Sequence, residues 1–310
     1  MENRKISFVI YAPSYDEKSG GCIALHKLCH VINNLGHSAY IFPEIIPGGA
    51  VRDWLKVNGE ASFDEIVSGN FRVNKTFNSP ILSGAALNSI IAAEDVIVIY
   101  PEVTFGNPLG ARRVVRWLLH DLGFHTGKIY LERGDMLIRY NALRGELSIP
   151  GCKVSAGVMR VAHIPFEKYN LQGVAAQRAG VAFCVRKGKE KAFIHSTEGA
   201  VLIDSLSHDE ISSLFKRVSR FYSYDTATLY SRLAVLCGCE SIIVPDPGVE
   251  DEEWCPDPAL RHGLQYGDLG QGLPSPETIR EVEIRLRSLD SEANIQVEKF
   301  MEEAVGYFYP

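Results

Sequence analysis

The chain has 310 residues, 46% hydrophobic, 23% charged and 10% aromatic, which is too long for one domain of ordinary size and supplies enough apolar material for two. A formal charge of -6 excludes a generally basic nucleic-acid binder, and no apolar run reaches the ~18 residues that a membrane span needs. Seven cysteines, odd in number and scattered, make neither a disulfide framework nor a paired zinc motif, and Pro13 and Asp16 end the first apolar run before a signal-peptide core is complete, so a reduced, cytoplasmic protein is expected.

Residues 6–12 are a β-branched and aromatic run suited to a strand buried on both faces. After the loop 13–21, Ile23, Leu25, Leu28, Val31, Ile32 and Leu35 recur at helical spacing, Gly36 is placed to stop the helix, and 39–42 read as a second strand. This is a βαβ unit, so a parallel sheet begins at the N-terminus. A helix is predicted over 84–92, a wholly apolar strand over 96–100 ending at Pro101-Glu102, and a helix over 109–122. Short strands are predicted at 129–131, 136–140 and 158–164. Residues 166–179 lack a period and read as a connection. A second α/β series follows: a strand at 181–185, a basic loop at 186–189, and short strands at 192–195 and 201–203. Ser207 and Glu210 form a capping box for a helix over 208–217. A strand at 218–222, a helix at 226–237 stopped by Gly238, and a strand at 241–244 come next. Residues 245–275 are a Pro- and Gly-rich excursion, and two helices, 276–288 and 291–306, end the series. The expected class is α/β, with two Rossmann-like domains facing across a cleft that holds the ligand. Their expected extents are 1–166 and 167–290, with 291–310 crossing back to the first.

Several groups of residues could carry chemistry. Gly20 and Gly21, between a strand and a helix, either allow close backbone approach to an anion or satisfy a turn. The pattern is not G-x-G-x-x-G and no acid ends the second strand, which counts against a nicotinamide cofactor. Arg186, Lys187 and Lys189 directly follow a buried strand, where cations suit a diphosphate; the alternative is a solvated basic loop. Tyr224, Asp225, Thr226 and Thr228 bridge a strand and a predicted helix start, where Asp225 is a candidate N-cap and the free amides and hydroxyls could meet phosphate. Glu102 ends a strand and is a candidate general base, with His125 as the other candidate; a surface glutamate is the plain alternative. On the predicted helix 109–122, Arg112, Arg113 and Arg116 lie within one turn, either as a solvated face or as a contact for an anionic acceptor or lipid surface. No HExxH, no DxD after a strand and no G-x-S-x-G occur, so neither a metal site nor an α/β-hydrolase is indicated.

The opening unit with Gly20-Gly21 and Leu35-Gly36-His37, and the segment from Asp225 through Gly238-Cys239-Glu240-Ser241-Ile242, resemble nucleotide-sugar glycosyltransferases of the GT-B fold. Tyr100-Pro101-Glu102, Gly106-Asn107-Pro108, 115–119, Tyr224-Asp225-Thr226, Val244-Pro245-Asp246 and Glu253-Trp254 resemble bacterial glycosyltransferases of cell-surface polysaccharides. The likeness covers most of residues 5–270. Where the commonest retaining members carry two glutamates flanking seven residues, this chain has Asp225 and Leu233. The resemblance implies a donor-binding second half, with phosphate roles for Arg186, Lys187 and the segment at Thr226, and no cofactor beyond the nucleotide-sugar co-substrate. It implies a glycan or lipid-linked glycan acceptor. Net charge points away from nucleic acid, the side-chain cations make a metal unnecessary, and the lipid-surface reading of Arg112, Arg113 and Arg116 would give peripheral contact with the inner membrane. A nucleotide-sugar epimerase of the same fold, and a catalytically silent sugar-nucleotide-binding partner, are the alternative readings.

Overall fold

The computed structural model describes residues 6–45, 51–86, 93–141 and 147–310. The chain forms two compact units, Met1–His163 with Leu289–Pro310, and Ile164–Ser288. Of the predicted helix 84–92, residues 84–86 are helical and 87–92 lie outside the described residues.

The first unit is built on a wholly parallel sheet of β1 (Ser7–Ala12), β2 (Ser38–Pro43), β3 (Val96–Pro101), β4 (Val114–Leu118), β5 (Met136–Arg139) and β6 (Lys153–Val158). Its strand order is β2-β1-β3-β4-β5-β6. Alternate residues of β1 serve two cores, as a strand period of two requires. Phe8, Ile10 and Ala12 pack with Leu25, Leu28 and Ile32 of α1 (Gly20–Asn34), and with Val297 and Phe300 of the last helix. Val9 and Tyr11 pack instead with Val51, Leu55, Phe63 and Val67 of α2 (Val51–Asn58) and α3 (Glu60–Asn70). Gly36, at φ 87°, takes the left-handed conformation that ends α1.

The helix predicted over 109–122 is instead strand β4. Gly110 at φ 60° interrupts the backbone before it, and the five residues Val114–Leu118 are all buried between β3 and β5. The shared basic face of Arg112, Arg113 and Arg116 therefore does not exist. Arg113 lies over the Tyr309 ring at 4.1 Å, while Arg116 is fully buried. Arg116 Nε donates to Asp135 Oδ2 at 2.9 Å, its terminal nitrogens donate to the carbonyls of Thr104 and Gly106, and its guanidinium lies 5.0 Å from the Tyr100 ring centre. Residues 129–131 form no strand, and the last strand of this sheet is 153–158 rather than 158–164.

In the second unit β7 (Val181–Cys184), β8 (Val201–Leu202), β9 (Arg220–Ser223), β10 (Glu240–Ile243) and β11 (Leu264–Tyr266) form a parallel sheet in the order β11-β10-β9-β7-β8. Helix α4 (His208–Phe215) starts with the expected capping box of Ser207 and Glu210. Helix α5 (Tyr230–Leu236) starts four residues later than predicted, because Asp225 closes its own turn by accepting from the Ala227 amide at 3.0 Å. Residues 192–195 are not a strand. The excursion after β10 contains α6 (Asp251–Trp254), α7 (Pro258–Arg261) and β11. The two predicted terminal helices are one, α8 (Pro276–Phe308), since no Gly or Pro between 288 and 291 interrupts its backbone ladder. Its early residues belong to the second unit and those from Leu289 to the first.

Both sheets share one topological feature. The first strand of each, β1 or β7, is flanked by the next strand on one side and the third on the other. The order thus reverses beside the first strand, and loops leaving the carboxyl ends there diverge to leave a crevice.

Removing Asp135 should leave the buried Arg116 charge without its ionic partner. Asp135→Ala is expected to destabilise the full chain by about 3–5 kcal/mol, read from urea unfolding; a loss below about 1 kcal/mol would show the pair to be dispensable.

Candidate functional site

At the reversal point of the second sheet, the loop after β7 meets the loop after β9. Gly188, in the short 3-10 turn Arg186–Gly188, has no room for a Cβ, which would fall inside contact distance of the Tyr224 carbonyl. On the other side, the Asp204 carboxylate, just past β8, accepts from the amides of Val185 at 3.2 Å and Arg186 at 2.9 Å. Held from both directions, Arg186 takes φ 42°, the one positive-φ non-glycine among the described residues. Its guanidinium lies 4.8 Å from the Tyr230 ring centre.

A cavity of 480 Å³ opens beside this loop, with Lys187, Gly188 and Lys191 on one side and Val244, Pro245 and Asp246 on the other. Lys191 is fixed by Asp246 Oδ1 and by the Val244 carbonyl, both at 2.7 Å. Asp246 also accepts from the Thr226 hydroxyl at 3.1 Å. Lys187 is exposed and forms part of the wall, so the site combines one cation held in an ion pair with one that faces solvent.

Sequence reasoning placed Arg186, Lys187, Tyr224, Asp225, Thr226 and Thr228 together, and the sheet order brings their two loops into contact. Their side chains divide by role. Tyr224 is buried, and its hydroxyl meets the Ile194 amide at 2.9 Å and His195 Nδ1 at 2.8 Å. The Thr228 hydroxyl accepts from the Tyr230 amide at 3.3 Å. Asp225 does not cap a helix beginning at Thr226, and the seven-residue α5 begins beyond it. These groups shape the loop; of the two predicted cations Lys187 lines the cavity, while Arg186 lies beside it over the Tyr230 ring. Leu233, eight positions after Asp225, is buried in the core. Gly188, Asp204, Lys191 and Asp246 had no assigned role in the sequence reading. Asp204 and Asp246 each stand just past an apolar strand, which is the signal that could have found them.

In the first unit, Gly20 and Gly21 are the first two residues of α1 rather than part of a loop, with Ser19 as N-cap. Neither has a positive φ, so the turn explanation for the pair falls away. A Cβ on Gly20 would meet nothing within 4 Å, and one on Gly21 would meet Leu119 at 3.4 Å. The neighbouring Leu119 amide donates to Glu102 Oε2 at 3.0 Å. The helix start after β1 and the carboxylate after β3 therefore share the reversal point of the first sheet. Glu102 is 9% exposed. Burial pushes its carboxyl above the ordinary glutamate range, against the opposing pull of backbone amides that include Leu119 and His120. His125 is exposed on the following loop, its ring 4.9 Å from those of His120 and Phe124. Among the described residues no group of three or more His, Cys, Asp or Glu side chains is placed to hold a metal ion. No described helix is long and apolar enough to cross a membrane.

The sequence matches no family model and no curated protein. Among solved structures, the chain is similar to the glycotransferase of kitacinnamycin, with a TM-score of 0.35 and 8% identity over 98% of this chain and 96% of that one. It is also similar to the glycosyltransferase VinC in complex with DTDP, with a TM-score of 0.33 and 11% identity over 98% and 99% of the two chains. A third is MurG of Acinetobacter baumannii, with a TM-score of 0.31 and 9% identity over 94% and 95%.

Two outcomes follow from this geometry. Gly188→Ala should cost about 1–3 kcal/mol, because the obstructing atom is backbone and can yield only by moving the loop; an unchanged denaturation midpoint would contradict the close approach. For Glu102, the folded-state pKa lies above the unfolded value, so the native chain binds the proton more tightly. Its contribution is fully present below the ordinary glutamate value of 4.5 and is lost as pH rises through the folded pKa. Relative to Glu102→Gln, wild-type stability should thus decline with rising pH across that window and level off above it. Parallel curves would mean that the carboxyl is not held in its acid form by burial.

Proposed function

We propose that the chain is a glycosyltransferase of the GT-B type, moving a sugar from a nucleoside-diphosphate donor to a growing bacterial surface glycan without a metal ion. The observation that carries this reading is the 480 Å³ cavity at the reversal point of the second sheet, whose wall carries Lys187 and Lys191 together with the carboxylates of Glu190 and Asp246, beside the strained Arg186. The difficult part of such a transfer is the negative charge that builds on the departing diphosphate. Fixed cations in a site partly removed from water stabilise that charge with little reorganisation. Lys191 brings one such charge to the wall, partly offset by its ion-pair partner Asp246. Lys187 supplies a second, and Arg186, whose planar guanidinium can take two phosphate oxygens at once, a third.

The first unit supplies the acceptor chemistry in this reading. Glu102 removes the acceptor hydroxyl proton, and its raised pKa makes it a stronger base than an exposed glutamate once ionised. His125 is the other candidate base. Lipid-linked acceptors and peripheral membrane contact stay compatible with this role. The membrane contact cannot run through a face made by Arg112, Arg113 and Arg116, since Arg116 is buried.

Calorimetry with a panel of nucleoside diphosphates tests the donor site. At least one should bind, and Lys187→Ala and Arg186→Ala should each weaken it roughly 10- to 100-fold, as for a lost charge-assisted contact. Failure of every nucleoside diphosphate to bind, or full affinity in both variants, would overturn the assignment. Release of nucleotide from a bound donor separates an enzyme from a silent partner, and turnover surviving EDTA is expected if side-chain cations do the work.

A further inference from the structure

The second unit has another concavity, of 310 Å³, that the donor reading leaves unused. Its centre is Trp254 of α6 and Tyr266 of β11, ring centroids 4.9 Å apart and planes within 16° of parallel. Leu264 and Leu269 extend the apolar lining at either end of β11. Because β11 is the edge strand of its sheet, this cavity follows the flank of the sheet, whereas the donor cavity adjoins the ends of β7 and β10.

The polar atoms of both rings are already committed. Trp254 Nε1 donates to the Thr226 carbonyl and the Tyr266 hydroxyl to the Val249 carbonyl, both at 2.8 Å. Both ring donors are therefore spent within the protein, and what the rings chiefly offer a ligand is carbon surface. Hydrogen bonding is left to other lining residues: the carboxylate of Glu250, the ion pair of Asp251 with Arg261 at 2.9 Å, and the carboxamide of Gln271. Acceptors and donors are both represented, next to a stacked pair of aromatic rings.

That combination matches the chemistry of a pyranose. A pyranose has a flat face of C–H bonds that suits an aromatic surface, and hydroxyls that both donate and accept at its margin. A quaternary ammonium would instead call for rings enclosing it from several directions, and these two rings are nearly parallel. The volume stands at the bottom of the ~300–1,000 Å³ range of small-molecule sites, which fits one sugar ring rather than an oligosaccharide. We propose that this cavity is an accessory site for a single pyranose residue of a glycan, separate from the donor cavity. It would hold a sugar unit away from the reacting end of the chain, and it stands independently of the donor assignment.

Saturation-transfer NMR on the full chain tests it with methyl glucopyranoside, methyl galactopyranoside and the methyl glycoside of N-acetylglucosamine. Adenosine, guanosine and tetramethylammonium complete the panel. At least one glycoside should receive saturation, mainly on the protons of one ring face. Glu250→Ala and Gln271→Ala alter the polar lining without touching Thr226, and each should weaken that binding by about fivefold to tenfold. Trp254→Leu should abolish it. Nucleoside-diphosphate affinity in the two polar variants should match wild type, which separates this site from the donor site and controls for folding. The proposal is overturned if no glycoside binds, if glycoside binding persists in all three variants, or if only a nucleoside or tetramethylammonium responds to them. Glycoside binding that depends on these residues in a chain that binds no nucleotide would keep the accessory site and remove the donor assignment.

Discussion

No side chain fits at residue 188. The Tyr224 carbonyl occupies the space where a Cβ would stand, and from that exclusion much of the second unit's site follows. Two loops that leave neighbouring strands at the reversal of strand order would ordinarily diverge. Here they are held together by backbone against backbone, with Asp204 pulling on the amides of Val185 and Arg186 from the opposite side. The resulting backbone conformation at Arg186 is one that L residues with a side chain adopt at a cost of roughly 1–3 kcal/mol. The surrounding contacts over-determine it, and the outcome is a short turn that sets Lys187 against the cavity wall.

The first unit reaches a comparable arrangement by different means. Its loop after β3 is anchored by a side chain, Arg116, which enters from β4 and bonds the carbonyls of Thr104 and Gly106 while pairing with Asp135. A fully buried guanidinium is tolerated only because its charge is paired and its donors find acceptors. The same clamp brackets Glu102, whose carboxylate meets the Leu119 amide just past the end of β4. Each unit thus carries its candidate residues at one equivalent place in its sheet, on loops tied by hydrogen bonds to neighbouring strands. Rigidity of this kind matters for function, since a charge or base displaced by an ångström loses most of its effect on a transition state.

The sequence by itself determined the parts governed by local pattern. The β-branched and aromatic runs at 6–12, 96–100 and 181–185 suit strands covered on both faces, and the 3.6-residue spacing after Gly21 suits a helix buried on one side. Gly36 and the Ser207–Glu210 box mark helix ends through backbone chemistry confined to a few residues. The candidate groups after β3, β7 and β9 were legible for the same reason, because a polar cluster directly past a buried strand has few places to go. What the tertiary structure decided was everything set by residues distant in sequence. The stretch 109–122 shows arginines at helical spacing, yet burial between two strands outweighed that pattern and turned Arg116 inward to Asp135, nineteen positions away. The demand for glycine at 188, the pairing of Lys191 with Asp246 and the stacking of Trp254 on Tyr266 likewise depend on strand order. Strand order is chosen by how whole layers pack, and no local period of the chain encodes it.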